Sequence, residues 1–293
     1  MSDAAEDAET RPRTLLRRVR TPAAVVGIAD AISHPEEWAL VLDFDGTVAP
    51  FVKRPERARL GRVVSSHLRR LPLAFGAVAF ISGRPADFLH AAVGSDAITF
   101  VGLYGAEERL PHSASSTLGA EFAPYVEPLH RFLAAHWSTM LTSAGITLED
   151  KGAIATLHWR GAADPAAAER ALASIVADAA AAGWLVVDNE MNVEIRPPIP
   201  LSKEDATAHF LGGRDWRGVI LIGDETSDMR AWDAAERLHA EGRIGRVVRV
   251  GVASDHVPEG MRQTADMMVP GVSGVSRLLS RLAQAQPQVP SFE

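Results

Sequence analysis

The apolar run Trp38-Ala39-Leu40-Val41-Leu42 passes directly into Asp43-Phe44-Asp45-Gly46-Thr47, and this stretch restricts the fold more tightly than any other. An unbroken apolar run of that length reads as a strand covered on both faces, and therefore as an interior strand of a sheet. Strand side chains alternate, so Asp43 and Asp45 project to the same side, and Gly46 lets the chain turn sharply just beyond them. Like charges held that close raise each other's pKa unless a cation or a proton intervenes, so the pair calls for a divalent metal. On its own an Asp-x-Asp-Gly is equally compatible with an ordinary acidic turn after a strand, and the decision rests on what the rest of the chain supplies.

The same arrangement recurs. Glu56 to Leu71 has the spacing of an amphipathic helix, and Ala77-Val78-Ala79-Phe80-Ile81 is a second apolar strand ending in Ser82-Gly83-Arg84-Pro85. A third run, Ile98 to Leu103, ends in Tyr104-Gly105-Ala106-Glu107. Much later, Val219-Ile220-Leu221-Ile222 runs into Gly223-Asp224-Glu225-Thr226-Ser227-Asp228 and a helix through His239. Short strands near 247–252 and 267–269 and a helix over 272–283 close the series, followed by a tail from Gln284. Strands alternating with helices predict βαβ units, and so an α/β fold built on a doubly wound, Rossmann-like parallel sheet. Ser202, with Asp205 three residues on, has the form of a capping box and sets Lys203 in the first turn of a helix reaching about Leu211.

Between residues 106 and 198 the pattern changes. Helices are expected over 121–141 and 165–182, with strands at 153–159, 184–187 and 192–195. The last two strands are close enough to form an antiparallel hairpin. This segment reads as an inserted α+β cap domain, with Pro197, Pro198 and Pro200 stiffening its return. The domain expectation is therefore a core from residues 31–105 and 199–293, a cap over 106–198, and a flexible N-terminal tail over 1–30. Five arginines lie between Arg11 and Arg20 in that tail, too little apolar surface accompanying them for a membrane anchor. A length of 293 residues, long for one core, agrees with a divided chain.

The formal net charge of −7 argues against nucleic acid or an anionic membrane as the partner, since either favours a basic surface. Without cysteine, disulfides and thiolate metal sites are excluded, which fits a reducing cytoplasm. No apolar run reaches the roughly 18 residues of a membrane span, and no secretory signal is expected. A monomer acting on a small molecule is the natural expectation.

Ligands of open parallel sheets bind beyond the carboxyl ends of the strands, so the clusters at Asp43/Asp45, Ser82 and Asp224/Asp228 should converge, with Lys203 nearby. The order Asp-Phe-Asp-Gly-Thr, Ile-Ser-Gly-Arg, Lys, Gly-Asp-x-x-x-Asp resembles the four motifs of the haloacid dehalogenase-like (HAD) phosphatases. Gly102-Leu103-Tyr104-Gly105, Glu149-Asp150-Lys151-Gly152, Leu157-His158-Trp159-Arg160 and Val193-Glu194-Ile195-Arg196-Pro197 are similar to the trehalose-6-phosphate phosphatases within that superfamily. The resemblance implies a Mg²⁺-dependent phosphatase that hydrolyses trehalose 6-phosphate to trehalose and phosphate, with the cap between the second and third motifs.

A phosphate monoester demands on the order of 20 kcal/mol or more of barrier reduction. Asp43, first acid at the strand end, is the expected nucleophile and Asp45 the acid and then base. Asp43, the Asp45 carbonyl and Asp224 would hold Mg²⁺, with Asp228 at the metal or just behind it. Ser82 and the amide of Phe44 or Gly46 would donate to the phosphate, Arg84 of the second motif would join them in binding substrate, and Lys203 would supply a point charge. Ser82 alone could equally cap a helix, as could Glu225 and Thr226, and Lys151 is the alternative to Lys203. By resemblance Glu149, Lys151, His158 and Glu194 bind the sugar, and Asn192 and Arg196 share the strand face of Glu194. The fourth motif departs from the family in reading Gly-Asp-Glu-Thr-Ser-Asp-Met, and Met229 and Tyr104 leave the substrate more open than the reaction. Sucrose phosphate or glucosylglycerol phosphate is the rival substrate. A non-catalytic sugar-phosphate sensor is the rival function, against which the retained Asp45 counts. A phosphotransfer receiver has no use for the cap.

Overall fold

A computed structural model of the protein describes residues 21–50, 52, 58–189, 191–254 and 257–285. The arginines of residues 11–20, the start of the helix expected from Glu56, and most of the tail beyond Gln284 lie outside them. The chain first forms α1 (Pro22–Ser33), β1 (Trp38–Leu42), α2 (Arg62–Arg70), β2 (Ala77–Ile81), α3 (Ala86–Val93), β3 (Thr99–Gly102), β4 (Glu107–Arg109) and β5 (Thr117–Leu118). It continues through α4 (Ala123–His136), α5 (Thr139–Ser143), β6 (Thr147–Asp150), β7 (Ala155–His158), α6 (Pro165–Ala181), β8 (Leu185–Asn189) and β9 (Asn192–Arg196). It ends with α7 (Lys203–Leu211), β10 (Gly218–Gly223), α8 (Thr226–Ala240), β11 (Val247–Ala253), α9 (Met261–Thr264), β12 (Met267–Pro270) and α10 (Gly271–Leu282).

Eight strands form one sheet in the order β12-β11-β10-β1-β2-β3-β4-β5, and four form a second in the order β6-β7-β9-β8. The six strands from β12 to β3 are parallel. Every residue of β1 is buried because both faces of the sheet are covered. Leu40, Leu42, Phe80 and Ile220 pack on one face with Ile28 of α1, Leu68 of α2, Leu89 of α3 and Leu279 of α10. Ala39, Val41, Ile81 and Leu221 pack on the other with Ala206 of α7 and Trp232 of α8. Each leucine, isoleucine, valine or phenylalanine among them contributes about 1.5–3 kcal/mol by leaving water. The first half of the chain winds outward from β1 through β2 and β3, and the second from β10 through β11 and β12, so winding reverses between β1 and β10. Beyond the carboxyl ends of these two strands lies the crevice where such sheets bind ligands.

The structure departs from the sequence reading in four places. Residues 22–30, left to the tail in the domain division although a short helix is expected from Pro22 to Glu37, belong to a helix packed on the core: the Thr21 hydroxyl accepts from the Ala24 amide, and Ala24, Gly27 and Ile28 are buried. The eight-stranded sheet does not stop at residue 105, for β4 pairs antiparallel with β3, and β5 with β4. Sequences as polar as Glu107-Glu108-Arg109 carry no apolar signal, and the same is true of Thr147-Leu148-Glu149-Asp150, which forms β6. The helix expected over 121–141 breaks where Trp137 and Ser138 turn extended, the Trp137 amide donating to the Leu133 carbonyl.

The second sheet is covered by α4 and α6, with Leu129, Leu133, Leu157, Leu172, Ile175 and Ile195 at its centre. Leu103, Ala106, Phe122, Ala153 and Ile154 form a separate apolar cluster, against which Ile199 and Leu201 pack, where the chain passes between the two sheets.

Candidate active site

The parallel ladder runs one residue past β1, the Asp43 amide donating to the Ile222 carbonyl at 3.0 Å. Beyond it the chain curls back: Gly46 takes φ +75°, and the Val48 and Ala49 amides both donate to the Phe44 carbonyl. The two acids of this turn meet different cations. Asp43 is buried and its Oδ1 accepts from Lys203 Nζ at 2.6 Å. Asp45 is clasped by one edge of the Arg84 guanidinium, Nε at 2.7 Å and Nη2 at 2.8 Å, a bidentate pair.

Lys203 is only 2% exposed, which removes the alternative that it is a solvated lysine of a first turn. Ser202 caps α7 as the sequence predicts, accepting from the Asp205 amide, and so aims Lys203 at the crevice. Its ammonium also donates to Glu225 Oε1 at 2.8 Å and Asp228 Oδ1 at 2.9 Å. The other Asp228 oxygen accepts from the Asp224 and Glu225 amides at the start of α8. Asp224 Oδ1 accepts from the hydroxyl of Thr47, a fully buried residue that sequence reasoning passes over.

Four carboxylates, Asp43, Asp224, Glu225 and Asp228, thus crowd one ammonium. Burial raises Asp43 well above the carboxylate range, with Asp228, Glu225 and Asp224 adding to the rise against the pull of Lys203. Burial, then the charge of Asp228, pushes Asp224 to about 7. Burial also raises Asp228. Lys203 lowers Glu225. For Lys203 itself burial works against the charge, but Asp228, Asp43 and Glu225 outweigh it and hold the pKa well above the lysine range. This excess of negative charge suits a divalent cation. Among the described residues Asp43, Glu225 and Asp228 each offer a carboxylate oxygen within 4.8 Å of the others. Glu225, read from sequence as a possible cap, enters this trio, whereas Asp224, expected as a ligand, lies outside it with one oxygen taken by Thr47.

Ser82 is buried at the end of β2, its amide donating to the Val101 carbonyl. The N-cap of α3 is Pro85, so Ser82 does not cap that helix; its hydroxyl accepts from the Arg84 amide at 3.3 Å. The Leu103 and Tyr104 amides donate to the Arg84 and Ser82 carbonyls, which locks the turn after β3 onto the second motif. Burial, then Glu194 and Glu225, pushes the Tyr104 phenol up to about 12.

In the second sheet, cross-strand register sets Glu149 opposite Thr156 and Thr156 opposite Glu194. Period two then brings Lys151 and His158 to the same face. Lys151 Nζ lies 3.4 Å from Glu194 and 3.6 Å from Glu149, and His158 Nε2 lies 2.8 Å from Glu149. Thr156, whose hydroxyl donates to Glu194 at 3.4 Å, is a member the sequence reading omits, although its place two residues before His158 is the available signal. Lys151 is therefore partnered in this sheet, and Lys203 alone of the two lysines reaches Asp43. Arg196 Nη1 lies 3.9 Å from Glu194. This polar face acts on the first sheet: Arg84 helps hold Glu149 low, after the larger effects of its His158 hydrogen bond and Lys151, while Glu194 acts on Tyr104.

Residues 41–266 match the family model described as trehalose-phosphatase. A probable trehalose-phosphate phosphatase of Sinorhizobium fredii is 31% identical over 231 residues, covering 76% of this chain and 83% of that protein. The trehalose-phosphate phosphatase of Mycobacterium avium is 28% identical over 250 residues, covering 83% of this chain and 60% of that protein. The crystal structure of a trehalose-6-phosphate phosphatase related protein aligns with a TM-score of 0.68 at 18% identity, over 84% of this chain and 96% of its own. That last match is a likeness of fold.

Proposed function

Because the chain belongs to the trehalose-phosphatase family, we propose that it hydrolyses trehalose 6-phosphate to trehalose and inorganic phosphate, with Asp43 as the nucleophile. The observation that carries this reading is the pairing in one crevice of a buried Asp43–Lys203 contact with the Asp45–Arg84 clasp, so that nucleophile and acid are held two residues apart by different cations. An Asp43 oxygen attacks phosphorus as the bond to the sugar oxygen breaks, and Asp45 gives that oxygen its proton. A water then attacks the aspartyl phosphate, Asp45 takes a proton from it, and the bond to Asp43 breaks to release phosphate. Lys203 compensates charge on the transferring group, and Ser82 with the amide of Phe44 or Gly46 donates to its oxygens. Asp43, the Asp45 carbonyl and Asp224 would hold Mg²⁺ as an all-oxygen set, with Asp228 at the metal or just behind it, its two oxygens already engaged by Lys203 and by the amides that open α8. When bound, that ion eases the repulsion between a carboxylate and a phosphate dianion.

The cap face of Glu149, Lys151, His158 and Glu194 offers both donors and acceptors, as recognition of sugar hydroxyls requires, with Thr156 among them. We place the enzyme in the cytoplasm as a monomer that engages neither nucleic acid nor membrane, in keeping with its acidic charge and lack of cysteine. No described helix is long and apolar enough to cross a membrane.

The test is phosphate release with Mg²⁺ from trehalose 6-phosphate, sucrose phosphate and glucosylglycerol phosphate. Trehalose 6-phosphate should have the highest kcat/KM, and Asp43→Asn should abolish turnover. Preference for another sugar overturns the substrate; wild-type protein that binds these compounds without turnover overturns the reaction in favour of a sensor.

A further inference from the structure

We propose that Tyr104 is a specificity-determining residue, its phenol donating a hydrogen bond to a sugar hydroxyl where the substrate passes from the core crevice to the cap face. The proposal rests on the sugar-phosphate reading above and deepens it.

The backbone is the first observation. Leu103 and Tyr104 are consecutive non-glycine residues in the left-handed region, at φ +51° and +57°. A glycine at position 104 would serve such a turn without strain, so what the position retains is the side chain. The turn is also not free to relax, because its amides are bonded to the Ser82 and Arg84 carbonyls.

The second observation is where the ring ends. A Cβ built on Gly83 would stand 2.5 Å from both Cζ and Oη of Tyr104. The polar end of the phenol therefore lies on the backbone of the second motif, between the residue expected to hold phosphate and the arginine that clasps Asp45. Among the described residues its hydroxyl has no hydrogen-bond partner, whereas Glu149, Lys151, His158 and Glu194 are already bonded to one another.

The third is the surroundings. The charges acting on the hydroxyl come from both sheets: Glu194 from the cap, and Glu225, Lys203 and Asp43 from the core. A neutral phenol beside carboxylates is a donor, and a sugar arriving there presents oxygens that accept. An enzyme site equipped to hydrogen-bond a substrate hydroxyl discriminates against compounds that lack it.

Tyr104→Phe removes the hydroxyl and keeps the ring. Steady-state kinetics with trehalose 6-phosphate and with p-nitrophenyl phosphate, which has no sugar, give a ratio of kcat/KM values. One hydrogen bond corresponds to a fall in that ratio of about tenfold, chiefly through KM for the sugar. Tyr104→His, which restores a donor, should recover part of it. A ratio within about twofold of wild type overturns the proposal, as does an equal fall on both substrates, which is what a purely structural role would produce. Should wild type prefer a different sugar phosphate, the trehalose reading fails, and the same ratio taken on the preferred sugar still decides for or against Tyr104.

Discussion

Replacing Lys203 with Met keeps the length of the side chain and removes the ammonium from between Asp43 and Asp228. Those two carboxylates lie 2.6 Å and 2.9 Å from Nζ and are buried, so they lose their counter-charge without gaining water. Glu225 adds little, since its side chain is half exposed and can turn to solvent. Removing one partner of a buried ion pair costs about 3–5 kcal/mol. At about 2 °C per kcal/mol for a chain of this size, the metal-free variant should melt roughly 6–10 °C below wild type at pH 8. The pH dependence follows from the direction of the shifts. The raised pKa of Lys203 contributes stability at every pH below the ordinary lysine value, and the variant lacks it throughout this range. Asp43 and Asp228, already raised by burial, rise further without the ammonium and take up protons as pH falls. The deficit should therefore narrow between pH 8 and pH 5.5. Thermal unfolding in EDTA, followed by near-UV circular dichroism at both pH values, measures it. A variant melting within about 2 °C of wild type at both would refute the claim that Lys203 is the counter-ion of this cluster.

Two further outcomes follow from the same geometry. Folded Asp224, with its pKa at about 7, and Asp43, higher than its ordinary value, hold protons that the unfolded chain releases near 4. Stability of the metal-free protein should fall as pH rises from 5 to 7, by at most about 1.4 kcal/mol per unit for each group, and Mg²⁺ should remove the slope by displacing those protons. Thermal midpoints in EDTA that climb across this window would contradict the assignment. Gly83→Ala drives a methyl to 2.5 Å from the Tyr104 phenol and should cost about 1–3 kcal/mol of stability while lowering kcat/KM for the sugar phosphate. Equal denaturation midpoints for variant and wild type would show that the contact yields freely.

What was legible in the chain followed burial. Strands covered on both faces, such as Trp38–Leu42 and Gly218–Gly223, announce themselves as unbroken apolar runs, and the polar residues that end them inherit a shared location from the winding of the sheet. Lys203 was readable because a Ser202–Asp205 cap fixed the start of its helix. The polar strands Glu107–Arg109 and Thr147–Asp150 were not, since their order comes from neighbours distant in sequence and Arg109 is the one buried residue between them. The same reason hid Thr47 and Thr156: each is defined by a carboxylate far along the chain, Asp224 and Glu194, and a lone threonine carries no pattern of its own. Glu225 was visible as the residue before a helix, but its reach to Lys203 depends on how α7 and α8 lie side by side.

The return from the second sheet has a mechanical meaning. Arg196 ends β9, Lys203 begins α7, and three of the six residues 197–202 between them are prolines, whose fixed φ leaves little slack. Such a segment behaves as a strut: tilting the sheet that carries Glu194 pushes or pulls on the helix turn that carries the ammonium. A displacement of that face would therefore be passed to the ammonium rather than absorbed in the link.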